Sequence, residues 1–276
     1  MVQRKITIEI KLDMGLGKAY FRPYQDKRDG EEVGVHRDDD GTLPGVERTA
    51  GGNQVKFSIP SPPFPVSDVL VCFALKEEAG SFQKRVVGRA DISILITGIG
   101  RKNSERTLVE RLNHLTSRLV LTCGFAGGLD PALALGDVLC STDDEGLRDK
   151  LTAAGAKPAK FFCAQRITTT RQEKQELRRY TGADAVEMES EAIHTICRER
   201  GIPCATVRVI SDAANEDLPL NFNQLSKPDL SLDYGKLLWA IAKSPWKIPG
   251  LLRLQKNSSF AAQRLAEVLA TVTWRA

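Results

Sequence analysis

From Asp68 onward the chain alternates short apolar runs with longer amphipathic stretches, the pattern of strands in a sheet whose faces are covered by helices. The runs VLVCFAL, DISILIT, RLVLTCGF, DVLCS, KFFCAQRI, AVEM and CATVRVIS predict strands, and the stretches between them predict helices near residues 76–85, 101–115, 144–154, 171–180 and 189–199. The last helix is the most fully specified. Glu189, Ala192, Ile193, Ile196 and Cys197 recur at helical spacing, Arg198 and Arg200 fall in the final turn, Gly201 suits a left-handed cap, and Pro203 blocks continuation. Residues 214–235 read as a loop with turns, followed by helices around 232–244 and 257–271. Pro245 and Pro249 should divide KLLWAIAKSPWKIPGLLRLQK into two short helices, whose apolar residues from Leu237 to Leu254 are expected to pack on the sheet.

Before Asp68 the pattern is different. GEEVGVHRDDDGTLPG and TAGGNQ are rich in turn formers and charge, and only KITIEIKL alternates like a strand. Residues 1–65 are therefore expected to be an extension with one or two short strands and the Pro-rich linker SIPSPPFPVS, and residues 66–276 the main domain.

Composition narrows the class. A hydrophobic share of 42% with 27% charged residues supplies a sizeable core under a wetted surface, so a chain disordered throughout is excluded. The longest apolar runs fall well short of the roughly 20 residues that span a bilayer, and MVQRKITIEIKLD lacks the continuous apolar centre of a secretory signal, so a cytoplasmic protein is expected. Cys72, Cys123, Cys140, Cys163, Cys197 and Cys204 form no CxxC pair and have no histidine partners at ligand spacing, so no metal is implied. A net charge of +4 is too small and dispersed to imply nucleic acid. Its distribution is uneven: residues 236–276 hold seven basic side chains against Glu267 alone.

The candidate chemistry lies at strand ends, where ligands bind in open α/β sheets. ALKEE (74–78), TCGFAGGL (122–129), VEMES (186–190) and VRVISD (207–212) combine charged or glycine-rich residues with apolar strands. Taken singly, a carboxylate after a strand is more often a charge favouring a helix N-terminus. TGIG (97–100) and GFAGG (124–128) permit tight turns and close backbone approach, but neither completes a dinucleotide fingerprint or a P-loop, and no GxSxG elbow occurs.

In their order and approximate spacing, ALKEE, TGIG, GFAGGL with GD at 136–137, AVEMES and VRVISD closely resemble the purine nucleoside phosphorylase and methylthioadenosine/S-adenosylhomocysteine nucleosidase superfamily. The resemblance covers residues 68–272 and is nearest the nucleosidases and the hopanoid-associated phosphorylase-like branch. It implies a three-layer α/β/α sandwich around a mixed, mostly parallel sheet, a purine nucleoside as ligand, no cofactor, and a homo-oligomer. Carried over, Asp212 would protonate N7 of the leaving purine with help from Ser211, which requires an enclosed site and a raised pKa. Glu189 would bind the ribose 2′ and 3′ hydroxyls, Met188 would pack on the ribose, and Glu78 with Arg208 would activate and hold water. Phe125, Ala126 and Gly127 would line the substrate. Phe125 departs from the serine common there in the family, and QRITTTRQEKQEL lacks the base-stacking aromatic of the nucleosidases.

The residues leave three readings open. Hydrolysis of a 5′-modified adenosine is favoured by Glu78, which would repel phosphate. Phosphorolysis, with phosphate as co-substrate, is kept open by Lys76, Arg101 and Lys102. A non-catalytic nucleoside-binding protein is the third. The basic, apolar C-terminal segment adds an expectation of contact with a hydrophobic 5′ substituent or a membrane surface.

Overall fold

The computed structural model describes residues 46–47, 56–57, 66–227, 230 and 233–272. The chain divides into two units, Met1–Pro63 and Phe64–Ala276. In the first, β1 (Val46–Glu47) and β2 (Lys56–Phe57) pair antiparallel; the strand expected at KITIEIKL lies outside the described residues.

The second unit is built on an eight-stranded sheet. β3 (Val66–Phe73), β4 (Ile92–Ile96), β5 (Thr116–Gly128) and β10 (Cys204–Asp212) form its parallel centre, in the order β4, β3, β5, β10. β6 (Val138–Ser141) runs antiparallel to β10, and β7 (Lys157–Pro158) follows β6 at the edge, where Pro158 lacks only a donor the ladder does not need. β8 (Phe161–Cys163) and β9 (Ala185–Glu187) pair parallel, and β9 closes antiparallel on the end of β5 through Gly127 and Gly128. The seven predicted strands all form. β7 was not predicted, because two exposed residues carry no periodicity.

Alternation along β3 sets the layers. Val69, Val71 and Phe73 face a core with α1 (Lys76–Arg85), α3 (Glu145–Ala153) and the end of α8 (Ile248–Thr271), while Leu70 and Cys72 face α2 (Arg101–Leu112) and α5 (Ser190–Glu199). Helices thus cover both faces of a mixed, mostly parallel sheet, as the resemblance implied. Each large apolar side chain fully buried here contributes about 1.5–3 kcal/mol. α4 (Arg171–Thr181) starts at a Thr170 capping box and ends at Gly182, and Gly201 has the left-handed conformation expected after α5.

The C-terminal region corrects the sequence reading in two ways. After α6 (Phe222–Leu225) and α7 (Tyr234–Lys243), a 3-10 turn at Pro245–Lys247 leads straight into α8, a single helix of 24 residues. Pro249 does not interrupt it, because in a first turn its missing N–H has no intrahelical partner to lose. Nor does the apolar stretch pack on the sheet: among the described residues α7 has none buried, and burial in α8 begins at Ala261. Leu238, Trp239, Trp246 and Leu252 are exposed. Among the described residues, no helix is long and apolar enough to cross a membrane.

The buried end of α8 and the segment that leads into the helix should respond differently to truncation. Leu265→Ala, in the core, is expected to cost about 2–5 kcal/mol in urea unfolding, and Trp246→Ala, just before the helix, less than about 0.5 kcal/mol. Equal losses would contradict the one-ended packing.

Candidate active site

The site is assembled where the C-terminal ends of β3, β5 and β10 meet α1, α2 and α5. Glu78 lies in the first turn of α1, whose other early residues, Lys76 and Glu77, are exposed. Its side chain turns inward and closes a capping interaction: Leu75 N–H donates to Oε2 at 2.9 Å, and Phe125 N–H donates to Oε1 at 2.9 Å. Burial raises its carboxyl to about 7, with Glu189 adding to the rise, against Arg208 and the two backbone N–H groups, which lower it.

Arg208 points from β10 across Gly124, its register partner on β5. Its Nη2 donates to Glu187 Oε2 at 2.6 Å, Glu189 Oε2 at 3.1 Å and Thr122 Oγ1 at 3.0 Å. Burial opposes its charge, but Glu187, Glu189 and Glu78 together raise its pKa above the ordinary arginine value. Gly124 is needed for this convergence. A Cβ there would stand 2.7 Å from both Arg208 Nη1 and Glu78 Oε1, at a φ of +147° that side-chain-bearing residues rarely adopt.

Glu189 caps the start of α5, and its Oε1 accepts from Gly100 N–H at 2.7 Å, which ties the TGIG turn to the VEMES segment. Its pKa is raised, chiefly by burial and by Glu187, against Arg208. Glu187, which the sequence reading did not assign, accepts from the backbone of Glu189 and Ser190 and from Ser190 Oγ, so it fixes the turn that presents Glu189. Met188 is buried beside it. Leu230, also unassigned, sits over Gly100 from the loop before α7 and has a left-handed φ of 62°.

The second carboxylate region lies further along β5. Asp212 ends β10 after a register shift and pairs with Gly127. Its Oδ1 accepts from Ser211 Oγ at 2.8 Å, and its Oδ2 lies 2.5 Å from Lys174 Nζ of α4. Gly124 beside Glu78 and Gly127 beside Asp212 are three residues apart on one extended strand, about 10 Å. Phe125 and Ala126 bridge the interval, so the nine residues singled out in the sequence form one continuous neighbourhood with two acidic ends. Lys174 was not singled out. On a helix otherwise lined with exposed charges, nothing local distinguishes the one lysine that turns inward.

The cations considered for a phosphate site are placed differently. Lys76, Arg101 and Lys102 are exposed, and Arg101 pairs with Glu191 at 3.3 Å. The cation among Glu78, Glu187 and Glu189 is Arg208, already engaged by two of them.

The sequence pattern of the phosphorylase superfamily matches residues 72–162 and 144–242, which together span more than half of the 276 residues and include every acid of this site. The chain belongs to the phosphorylase superfamily. Solved structures of similar fold include the 5′-methylthioadenosine/S-adenosyl homocysteine nucleosidase of Campylobacter jejuni, at 16% identity over 74% of this chain and 99% of that one, with a TM-score of 0.51. The futalosine hydrolase of Helicobacter pylori matches at 16% identity over 74% and 97%, with a TM-score of 0.52. The Neisseria meningitidis nucleosidase in complex with methylthio-immucillin-A matches at 19% identity over 73% and 98%, with a TM-score of 0.51. Within the superfamily fold, Glu78, Glu189 and Asp212 of this chain occupy the ends of parallel strands or the helix starts that follow them.

Gly124→Ala should disrupt the junction directly. We expect a stability loss of about 1–3 kcal/mol from the strained backbone and the contact with Glu78 and Arg208, read by thermal unfolding. A variant as stable as the parent would show that the close approach is not needed.

Proposed function

We propose that this protein hydrolyses the N-glycosidic bond of a purine nucleoside, a 5′-modified adenosine, releasing the free base. Glu78 carries the reading: a buried carboxylate whose pKa lies near neutrality, with no uncommitted cation among the described residues beside it. Such a group suits a base that removes a proton from water attacking C1′, and its charge disfavours phosphate. Arg208, through its ion pairs, holds the acid cluster that orients this water.

Glu189 would receive the ribose 2′ and 3′ hydroxyls. Each of its oxygens already accepts one hydrogen bond and retains a further lone pair for a hydroxyl. As positive charge develops on the sugar, these hydroxyls become better donors and the contact strengthens. Met188 would lie against the ribose, and Phe125, Ala126 and Gly127 would form the wall between sugar and base. Asp212, steadied by Ser211, would serve N7 of the departing purine. The preference for adenosines altered at the 5′ position is supported by the similarity to nucleosidases of 5′-methylthioadenosine. A non-catalytic nucleoside binder is less well supported, because all three carboxylates are present in one neighbourhood.

A panel of 5′-substituted adenosines incubated with and without phosphate tests the assignment. We expect free base and free sugar at a rate independent of phosphate; phosphate-dependent turnover yielding ribose 1-phosphate would replace hydrolysis with phosphorolysis, and ligand binding without turnover would leave a binding protein. Glu78→Gln should lower kcat by about 10²–10⁴-fold. Because Glu78 must be ionised to act as a base, kcat/KM should fall as pH drops through about 7, approaching about tenfold per unit on the acid side. A flat profile on that side would remove Glu78 from this role.

A further inference from the structure

Lys174 has no part in the chemistry described above, yet it is one of the most deeply enclosed groups in the molecule. Its side chain is completely buried, and its ammonium makes three contacts: Asp212 Oδ2 at 2.5 Å, Ala213 O at 2.6 Å and Glu216 O at 3.1 Å. Three N–H donors thus meet three acceptors. A lysine is the costliest kind of side chain to remove wholly from water, and a solely structural pair could be replaced by apolar residues of similar volume at little loss. The partner matters more than the burial. Of the carboxylates nearby, Lys174 meets the one assigned to the leaving base.

We infer that the leaving group is served by a Lys174–Asp212 pair rather than by Asp212 alone, with Lys174 a positioning residue that holds the carboxylate and carries the pair's proton. The inference rests on the reading of the site as a purine nucleoside hydrolase. An ammonium and a carboxylate in direct contact hold one transferable proton between them, and Lys174 Nζ and Asp212 Oδ2 are close enough to pass it. As the C1′–N9 bond breaks, its electron pair passes to the purine. Lys174 Nζ passes its proton to the Asp212 carboxylate, which delivers it to N7, so the base leaves neutral, Asp212 ends as the carboxylate it was and Lys174 as an amine. Water adds to C1′ and gives its proton to Glu78; when the base has left, Glu78 releases that proton to solvent and solvent returns one to Lys174. The carbonyls of Ala213 and Glu216 can still accept from the neutral amine, so the side chain stays in place through the cycle.

The test compares two leaving groups in the full-length protein: 5′-methylthioadenosine, or whichever 5′-substituted adenosine the wild type turns over fastest, and the 4-nitrophenyl riboside with the same 5′ group. Nitrophenolate departs as a stable anion and needs no proton at N7. Lys174→Met keeps the unbranched apolar stem without charge or proton, and should lower kcat for the adenosine by about 10²-fold or more while lowering that for the nitrophenyl riboside by less than about tenfold. Asp212→Asn should give the same split, whereas Glu78→Gln should depress both substrates. The nitrophenyl activity also reports that Lys174→Met is folded. Lys174→Arg keeps the positive charge but does not release its proton, and should fail to restore adenosine cleavage.

Equal losses on both substrates, or an adenosine rate within about threefold of wild type in Lys174→Met, would overturn the inference while leaving the hydrolase reading intact. Recovery of adenosine cleavage in Lys174→Arg would overturn the proton transfer. A wild type that cleaves neither substrate would instead defeat the hydrolase reading, and the inference with it.

Discussion

A guanidinium buried at the centre of a sheet is stable only if the surrounding structure supplies its counter-charges, and Arg208 imposes that requirement on everything around it. Two carboxylates, Glu187 and Glu189, meet it directly, a third, Glu78, faces it, and Thr122 Oγ1 accepts from the same Nη2. These partners come from β9, the start of α5, the first turn of α1 and β5. Satisfying one charge therefore fixes four separate pieces of chain against one another. The same arrangement keeps acidic groups in a place from which burial alone would exclude them.

The cluster leaves more negative than positive formal charge in an enclosed space, and the excess has chemical consequences. Glu78 and Glu189 both have raised pKa values, because desolvation and mutual repulsion outweigh what one arginine and a few backbone N–H groups return. A carboxyl poised near neutrality can exchange a proton with water under ordinary conditions. At the other end of the GFAGG segment the charges match one for one: Asp212 has a lysine to itself. The two acids, set against β5 at Gly124 and at Gly127 three residues further on, thus sit in different electrostatic company.

Much of the fold was legible in the sequence, because burial on both faces of a parallel sheet leaves continuous apolar runs, and amphipathic helices leave a 3.6-residue period. Where those signals fail, the reading fails. β7 is two exposed residues, and α8 starts nine residues before its expected position because a proline is harmless in a first turn. The apolar residues of α7 and early α8 promised a buried face and are instead half-covered or exposed, since composition records apolar character but not which surface is available to receive it.

The candidate site divides along the same line. By itself the sequence determined the strand and helix order, the short motifs at the strand ends, and through them the membership of the superfamily and the candidate acids Glu78, Glu189 and Asp212; these are local properties, carried by residues adjacent in the chain. Only the tertiary structure decided which groups touch. Glu187 as the brace of Glu189, Gly124 as the opening through which Arg208 and Glu78 meet, and Lys174 as the partner of Asp212 from 38 residues away are products of packing. Electrostatic and hydrogen-bond energies depend on distance through space, and the distance between two side chains is a property the linear chain does not contain.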